Sequence, residues 1–255
     1  MSLFHHRRPF AVGSTGTLAC ALFVAPFAAM FAGCSNSPGR PSADSARLAP
    51  NDVTDFTQLY AENCAGCHGA GGRGGAAIAL ADPVYLGIVD DATIHKVISN
   101  GIPKTAMPAF APSAGGLLTD KQIDVLAGGI RKNWGKPGVL EGANPPSYAA
   151  KSPGDTAHGA MAYKTYCESC HGANGHGGTK ASSITDDSFL ALISDQGLRS
   201  VVITGRPELG APDWRSDAPG KPMSDQDVTD IVAWLVSQRA QNPGQPYATA
   251  NSAPR

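Results

Sequence analysis

Apolar positions recur at helical spacing in three stretches of the first half of the chain, and in three of the second half. Phe56, Leu59 and Tyr60 fall on one helix face, behind Asp52 or Thr54 as the capping residue. The next stretch, DDATIHKVISNG, starts at Asp90 or Asp91 and stops at Gly101. Thr119-Asp120-Lys121-Gln122 reads as a capping box that opens a closing helix with Ile123, Leu126, Ile130 and Trp134. The plan then repeats. Asp155 or Thr156 opens a helix with Met161, Tyr163 and Tyr166, and DDSFLALISDQ supplies a middle helix. Ser224-Asp225-Gln226-Asp227 opens the last helix, with Val228, Ile231, Val232, Trp234 and Leu235.

One apolar run differs in kind. From Ala11 to Gly33 the chain carries no charge, behind the basic start His5-His6-Arg7-Arg8. This is the pattern of an export signal. The polar breaks complete the division. Residues 1–34 are a signal segment, and 35–50 (SNSPGRPSADSARLAP) have the composition of a flexible tether. Two domains follow at 51–137 and 153–240. The segment 138–152 between them is a Pro/Gly-broken linker, free or wrapped on the surface, and 241–255 is a loose tail.

The first helix of each domain ends in chemistry. Cys64-Ala65-Gly66-Cys67-His68 returns as Cys167-Glu168-Ser169-Cys170-His171, 103 residues on. Two thiols three positions apart reach the two vinyl groups of one porphyrin, and the next residue presents its imidazole to the iron. The expectation is two covalently bound haem c groups. Cys64, Cys67, Cys167 and Cys170 form the thioethers, and His68 and His171 are the proximal iron ligands. Behind each motif runs a glycine loop, HGAGGRGG and HGANGHGG. No Gly-Lys-Ser/Thr follows, so it is not a phosphate loop. Glycine here is expected to let backbone pass close to the haem edge.

Composition changes the picture in three ways. The 20 basic and 21 acidic residues give a net charge of -1, with no basic stripe, which argues against nucleic acid as a partner. Thirty glycines and 20 prolines imply much loop around few helices. A domain of under about 100 residues struggles to bury enough apolar surface, a shortfall that a bound haem can make up. Of six cysteines, four belong to the motifs, Cys20 lies in the apolar run, and only Cys34 is left. No disulfide framework is needed. Phe31-Ala32-Gly33-Cys34 resembles a bacterial lipobox, in which Cys34 would be acylated. Ordinary cleavage nearby and an uncleaved N-terminal anchor are the alternatives. All three put the rest of the chain outside the cytoplasm.

These motifs resemble the class I c-type cytochromes, as a tandem di-haem member, over roughly 52–136 and 154–240. The resemblance implies an all-α fold of two tandem cytochrome c domains. Each is a small helical bundle around a covalently attached haem, its first and last helices crossing near that haem. Met107-Pro108, 39 residues after His68, resembles the distal-ligand loop of the family, so Met107 is the expected ligand opposite His68. The second domain departs from the pattern. Setting Asn100-Gly101-Ile102-Pro103 on Thr204-Gly205-Arg206-Pro207 places Met107-Pro108 on Ala211-Pro212. Three outcomes stay open: Met223 reaches the iron, the iron is five-coordinate or binds water, or another group such as His176 ligates. His95 and His158 match no ligand position and are read as plain surface residues.

The resulting expectation is a lipid-anchored, periplasm-facing di-haem cytochrome c of the bacterial envelope. It carries single electrons rather than acting as an enzyme. Its partners would be a quinol-oxidising complex, a dehydrogenase or a terminal oxidase. The alternatives are a haem enzyme or small-ligand sensor using an open second haem, or a fixed cytochrome subunit of a respiratory complex.

Overall fold

The computed structural model describes residues 48–215, 218 and 220–240. The expectations for Cys34, for 1–34, for most of 35–50 and for the tail 241–255 lie outside them. Within the first domain run α1 (Phe56–Asn63), α2 (Ala65–His68), α3 (Pro83–Ile88), α4 (Asp91–Asn100) and α5 (Asp120–Trp134). The second domain has α6 (Thr156–Tyr166), α7 (Glu168–His171), α8 (Asp187–Leu192), α9 (Asp195–Thr204) and α10 (Asp225–Ser237). No strand occurs among the described residues, so the fold is all-α.

Side-chain caps set most helix starts, each worth about 1 kcal/mol. Asp55, rather than Asp52 or Thr54, caps α1 by accepting the Gln58 N–H at 2.8 Å. Asp90 caps α4, Gly101 ends it, and Thr119 and Gln122 form the expected capping box on α5. Ser224 and Asp227 do the same for α10. Helix α3 has no counterpart in the apolar pattern. Asp82 starts it by accepting the Val84 and Tyr85 N–H groups. DDSFLALISDQ is not one helix. Its chain turns extended at Ile193, and Ser194 caps a new helix by accepting the Gly197 N–H.

The two domains solve one packing problem in opposite ways. In each, the first and last helices cross, and close approach needs a small residue. Gly129 of α5 lies under the Phe56 ring of α1. In the second domain the glycine is on the first helix, where Gly159 lies against the Asp230 carbonyl and the Trp234 side chain of α10.

The domains also share a seam. Val84 of α3 belongs to the apolar core of the second domain, with Ile88 and Leu140 packed against it. Arg206 reaches across, one guanidinium N–H donating to the Gly75 carbonyl at 3.0 Å. The linker is wrapped, not free. The Ser147 N–H donates to Asp225 at 2.7 Å, and Gln196 and Arg199 donate to the Tyr148 carbonyl. The Tyr148 ring meets Tyr85 of the first domain edge-on, with centroids 6.5 Å apart. Arg199 anchors this region. Its side chain is 3% exposed and pairs with Asp225 at 2.5 Å. No helix among the described residues is long and apolar enough to cross a membrane.

Candidate functional site: two Cys-x-x-Cys-His turns and their loops

Each motif sits on a single helical turn pinned to the end of the preceding helix. The Cys64 N–H donates to the Tyr60 carbonyl, and the His68 N–H to the Cys64 carbonyl. Cys167 and His171 make the same pair of bonds, to Tyr163 and Cys167. None of these four cysteines is in a disulfide. Cys64 is buried, and burial together with the nearby Cys67 pushes its thiol up to about 11. Cys67 is exposed, and Cys167 and Cys170 are partly buried.

The histidines are oriented identically. Nδ1–H of His68 donates to the Ile78 carbonyl at 2.8 Å, and Nδ1–H of His171 to the Ser182 carbonyl at 2.8 Å. A carbonyl oxygen only accepts, so Nδ1 carries the proton and Nε2 keeps its lone pair. Such a bond fixes the tautomer and ring orientation of a metal-ligating histidine. His68 is 8% exposed, and burial lowers its pKa against the pull of the Ile78 carbonyl. Burial thus favours the neutral, ligating form.

Two tyrosines that the motif did not announce complete the turn. The hydroxyl of Tyr60 donates to the Gly69 carbonyl at 2.9 Å, and that of Tyr163 to the Gly172 carbonyl at 2.5 Å. Burial pushes both phenols up to about 12, so they remain donors across the physiological range. Their sequence signal is a Tyr four residues before the first cysteine of each motif. Gly69 and Gly172, at φ +84° and +71°, turn the chain sharply after the histidine. A Cβ on Gly69 would collide with the Arg73 carbonyl, and one on Gly172 with the Gly177 carbonyl. The crowding that requires glycine at these two positions therefore comes from the loop's own backbone.

On the distal side two backbone bonds correspond between the domains. The Ile102 N–H donates to the Met107 carbonyl at 3.0 Å, and the Arg206 N–H to the Ala211 carbonyl at 3.0 Å. The Leu118 N–H donates to the Phe110 carbonyl at 2.9 Å, and the Met223 N–H to the Trp214 carbonyl at 2.9 Å. Ala211 therefore holds the station of Met107, and Met223 that of Leu118. The Met223 main chain is thus tied at a different place in the distal loop from that of Met107. Met223 is 3% exposed and packs in the core with Trp214, while Leu118 is a core residue at 8%. Met107 itself is half-buried.

The remaining candidates have other partners. His176 is exposed, its ring 3.3 Å from the Thr185 hydroxyl. His158 is exposed, and its Nδ1 lies 2.6 Å from a carboxylate oxygen of Asp230, a side chain 2% exposed. His95 lies 3.1 Å from Asp124. The charged loop residues are mutually paired, Arg206 with Glu208 at 2.6 Å and Arg215 with Asp213 at 2.5 Å.

Thiols outside any disulfide on the same turn as an imidazole with a fixed Nε2 are a donor set that fits covalently attached haem, and the fold and site define a tandem class I c-type cytochrome. A family model described as cytochrome c oxidase, cbb3-type, subunit III matches residues 51–128 and 154–235, and the chain belongs to that family. Members of the cytochrome c class hold haem c covalently. Over 133 residues the chain is 35% identical to the cbb3-type cytochrome c oxidase subunit CcoP of Azospirillum sp. (strain B510). That match covers 48% of this chain and 40% of the relative. The cytochrome bc1 complex cytochrome c subunit of Mycobacterium bovis is 26% identical over 191 residues, covering 73% of this chain and 64% of the relative. The chain thus spans less than two thirds of either protein.

Proposed function

We propose that this protein is a di-haem electron carrier of the bacterial respiratory chain, anchored to the membrane on the periplasmic side. The observation that carries the reading is the duplicated histidine geometry. Both His68 and His171 direct Nδ1 to a backbone carbonyl and leave Nε2 for iron. Cys64 and Cys67 would hold one haem, Cys167 and Cys170 the other. Bound haem supplies one-electron exchange between ferrous and ferric iron. The chain supplies attachment, ligand orientation and partial exclusion of water. Met107 would supply the second protein ligand of the first haem, and a thioether ligand raises the potential. The anchor is acylated Cys34, supported by the lipobox-like Phe31–Cys34.

Relatives named as subunits of a cbb3-type oxidase and of a bc1 complex support respiratory partners: a quinol-oxidising complex, a dehydrogenase or a terminal oxidase. Docking to them should be weak and polar, as redox encounters are. The test is a redox titration of the holoprotein with oxidised spectra of wild type and Met107→Ala. Two titrating haems are expected, with loss in the variant of the near-infrared sulfur-to-iron charge-transfer band. A spectrum that Met107→Ala leaves unchanged would remove Met107 from the iron.

A further inference from the structure

The second domain repeats the attachment turn, the histidine orientation and the tyrosine bond of the first, and places alanine at the distal position of Met107. The distal loops differ in length and in some of their bonds, but the backbone beside this position matches. The N–H groups of Ile102 and Arg206 meet the carbonyls of Met107 and Ala211 at the same 3.0 Å. A Cβ built on Gly101 would meet the Met107 carbonyl oxygen at 2.7 Å, and one on Gly205 would meet that of Ala211 at 2.7 Å. At this position the backbone therefore runs the same course in both domains, and alanine stands where the thioether would be.

Among the described residues, no other thioether or imidazole is brought to that position. The Met223 main chain is tied to Trp214 at the station of Leu118, and its side chain is core. Met161 is 60% exposed on α6, the helix that leads into the proximal motif. His158 is engaged by Asp230, and His176 follows His171 by five residues in the proximal loop. The loop positions 216, 217 and 219 are Ser, Asp and Pro, none with a thioether or imidazole.

We infer that the second haem has no protein ligand on its distal face, because Ala211 replaces the methionine there and Met223 serves as core, so that this iron takes a small exogenous ligand of the carbon monoxide, nitric oxide and cyanide class. The inference rests on the two-haem reading above. Binding is a coordination step. A lone pair of the ligand forms the bond to iron, at most a water leaves, and nothing is oxidised or reduced. The first haem, closed by Met107, stays a carrier, so one chain would join electron transfer to ligand binding.

The test uses full-length holoprotein. Haem per chain is counted first, and the dithionite-reduced protein is then titrated with carbon monoxide. The expected result is two haems and one carbon monoxide per chain. Met223→Leu should leave the oxidised spectrum and the uptake unchanged. Ala211→Met should abolish uptake and add a second sulfur-to-iron band. Two haems with no uptake in wild type, and uptake appearing only in Met223→Leu, would make Met223 the ligand and overturn the inference alone. A count of one haem would overturn the two-haem reading and the inference with it.

Discussion

The two cytochrome c domains agree on the proximal side and differ on the distal side and at the helix crossing. Both histidines, both tyrosines and both turn glycines occupy equivalent places. At the crossing, the large and small residues are exchanged between helices. Phe56 over Gly129 becomes Gly159 under Trp234. Volume at a close crossing is thus conserved as a sum, not residue by residue, in keeping with cores that tolerate swaps at constant volume. The distal exchange of Met107 for Ala211 has no compensating partner, since Met223 sits where the first domain has Leu118. A packing difference is absorbed, whereas a ligand difference is left standing.

The comparison can be broken most sharply at the crossing. Gly159→Ala drives a methyl into the Asp230 carbonyl, a backbone group that cannot step aside. It should cost about 3 kcal/mol, at the high end for overpacking. Gly129→Ala meets the Phe56 ring, a side chain rather than backbone, and gains helix propensity, so it should cost less than Gly159→Ala. Thermal unfolding of the two variants checks the ordering, and equal costs would deny that the exchange matters.

Arg199→Met comes next. It leaves Asp225 without its buried partner, frees the Ser147 carbonyl and leaves that of Tyr148 to Gln196 alone, which should cost about 3 kcal/mol. Proteolysis should then cut the 138–152 linker faster than in wild type, where these bonds hold it. An unchanged rate would mean that the linker is held by its other contacts.

Acid should also separate the domains. Burial would raise Asp225 and Asp230. It is outweighed at Asp225 by Ser147 and Arg199, and at Asp230 by the Asp155 N–H, His158 and Gln226, so both sit below the usual carboxylate range. A depressed carboxylate stabilises the fold above its unfolded pKa, about 3.9, and that stability is lost as pH falls through the lower folded value. In the first domain burial raises Asp82 against the N–H bonds of Tyr85 and Val84, which has the opposite sign. The second domain should therefore lose its spectral signature first below about pH 4. Simultaneous loss would show that the carboxylates are not the cause.

The smallest effect is expected at the tyrosines. Tyr60→Phe and Tyr163→Phe each lose one hydrogen bond to a glycine carbonyl, about 1 kcal/mol apiece. Denaturant midpoints should show similar losses in the two variants, and a large inequality would deny their equivalence.

Local signals in the chain were enough for the local structure. The two Cys-x-x-Cys-His turns, the Thr119 and Ser224 capping boxes and the Gly101 stop all depend on residues within a few positions of each other. The sequence alignment also placed Ala211 on Met107, and the backbone bonds agree with it. What escaped depends on distant partners. Arg131 on α5 and Arg239 beyond α10 do the same work. Arg131 binds the carbonyls of Leu86 and Val89 and the carboxylate of Asp91, while Arg239 binds those of Leu190, Ile193 and Asp195. They do so from different helix positions, so no gapless alignment pairs them. His158 gave no sign of its bond to Asp230, a partner 72 residues away. The linker's fate turned on Arg199, whose buried site no local pattern marks.

The claim on which the whole comparison rests is that both domains carry haem. Intact-mass measurement of the holoprotein, beside Cys167→Ala/Cys170→Ala made with the same attachment machinery, tests it directly. The account predicts two covalent haems on the wild-type chain and one on the variant. A single haem on the wild type would contradict it.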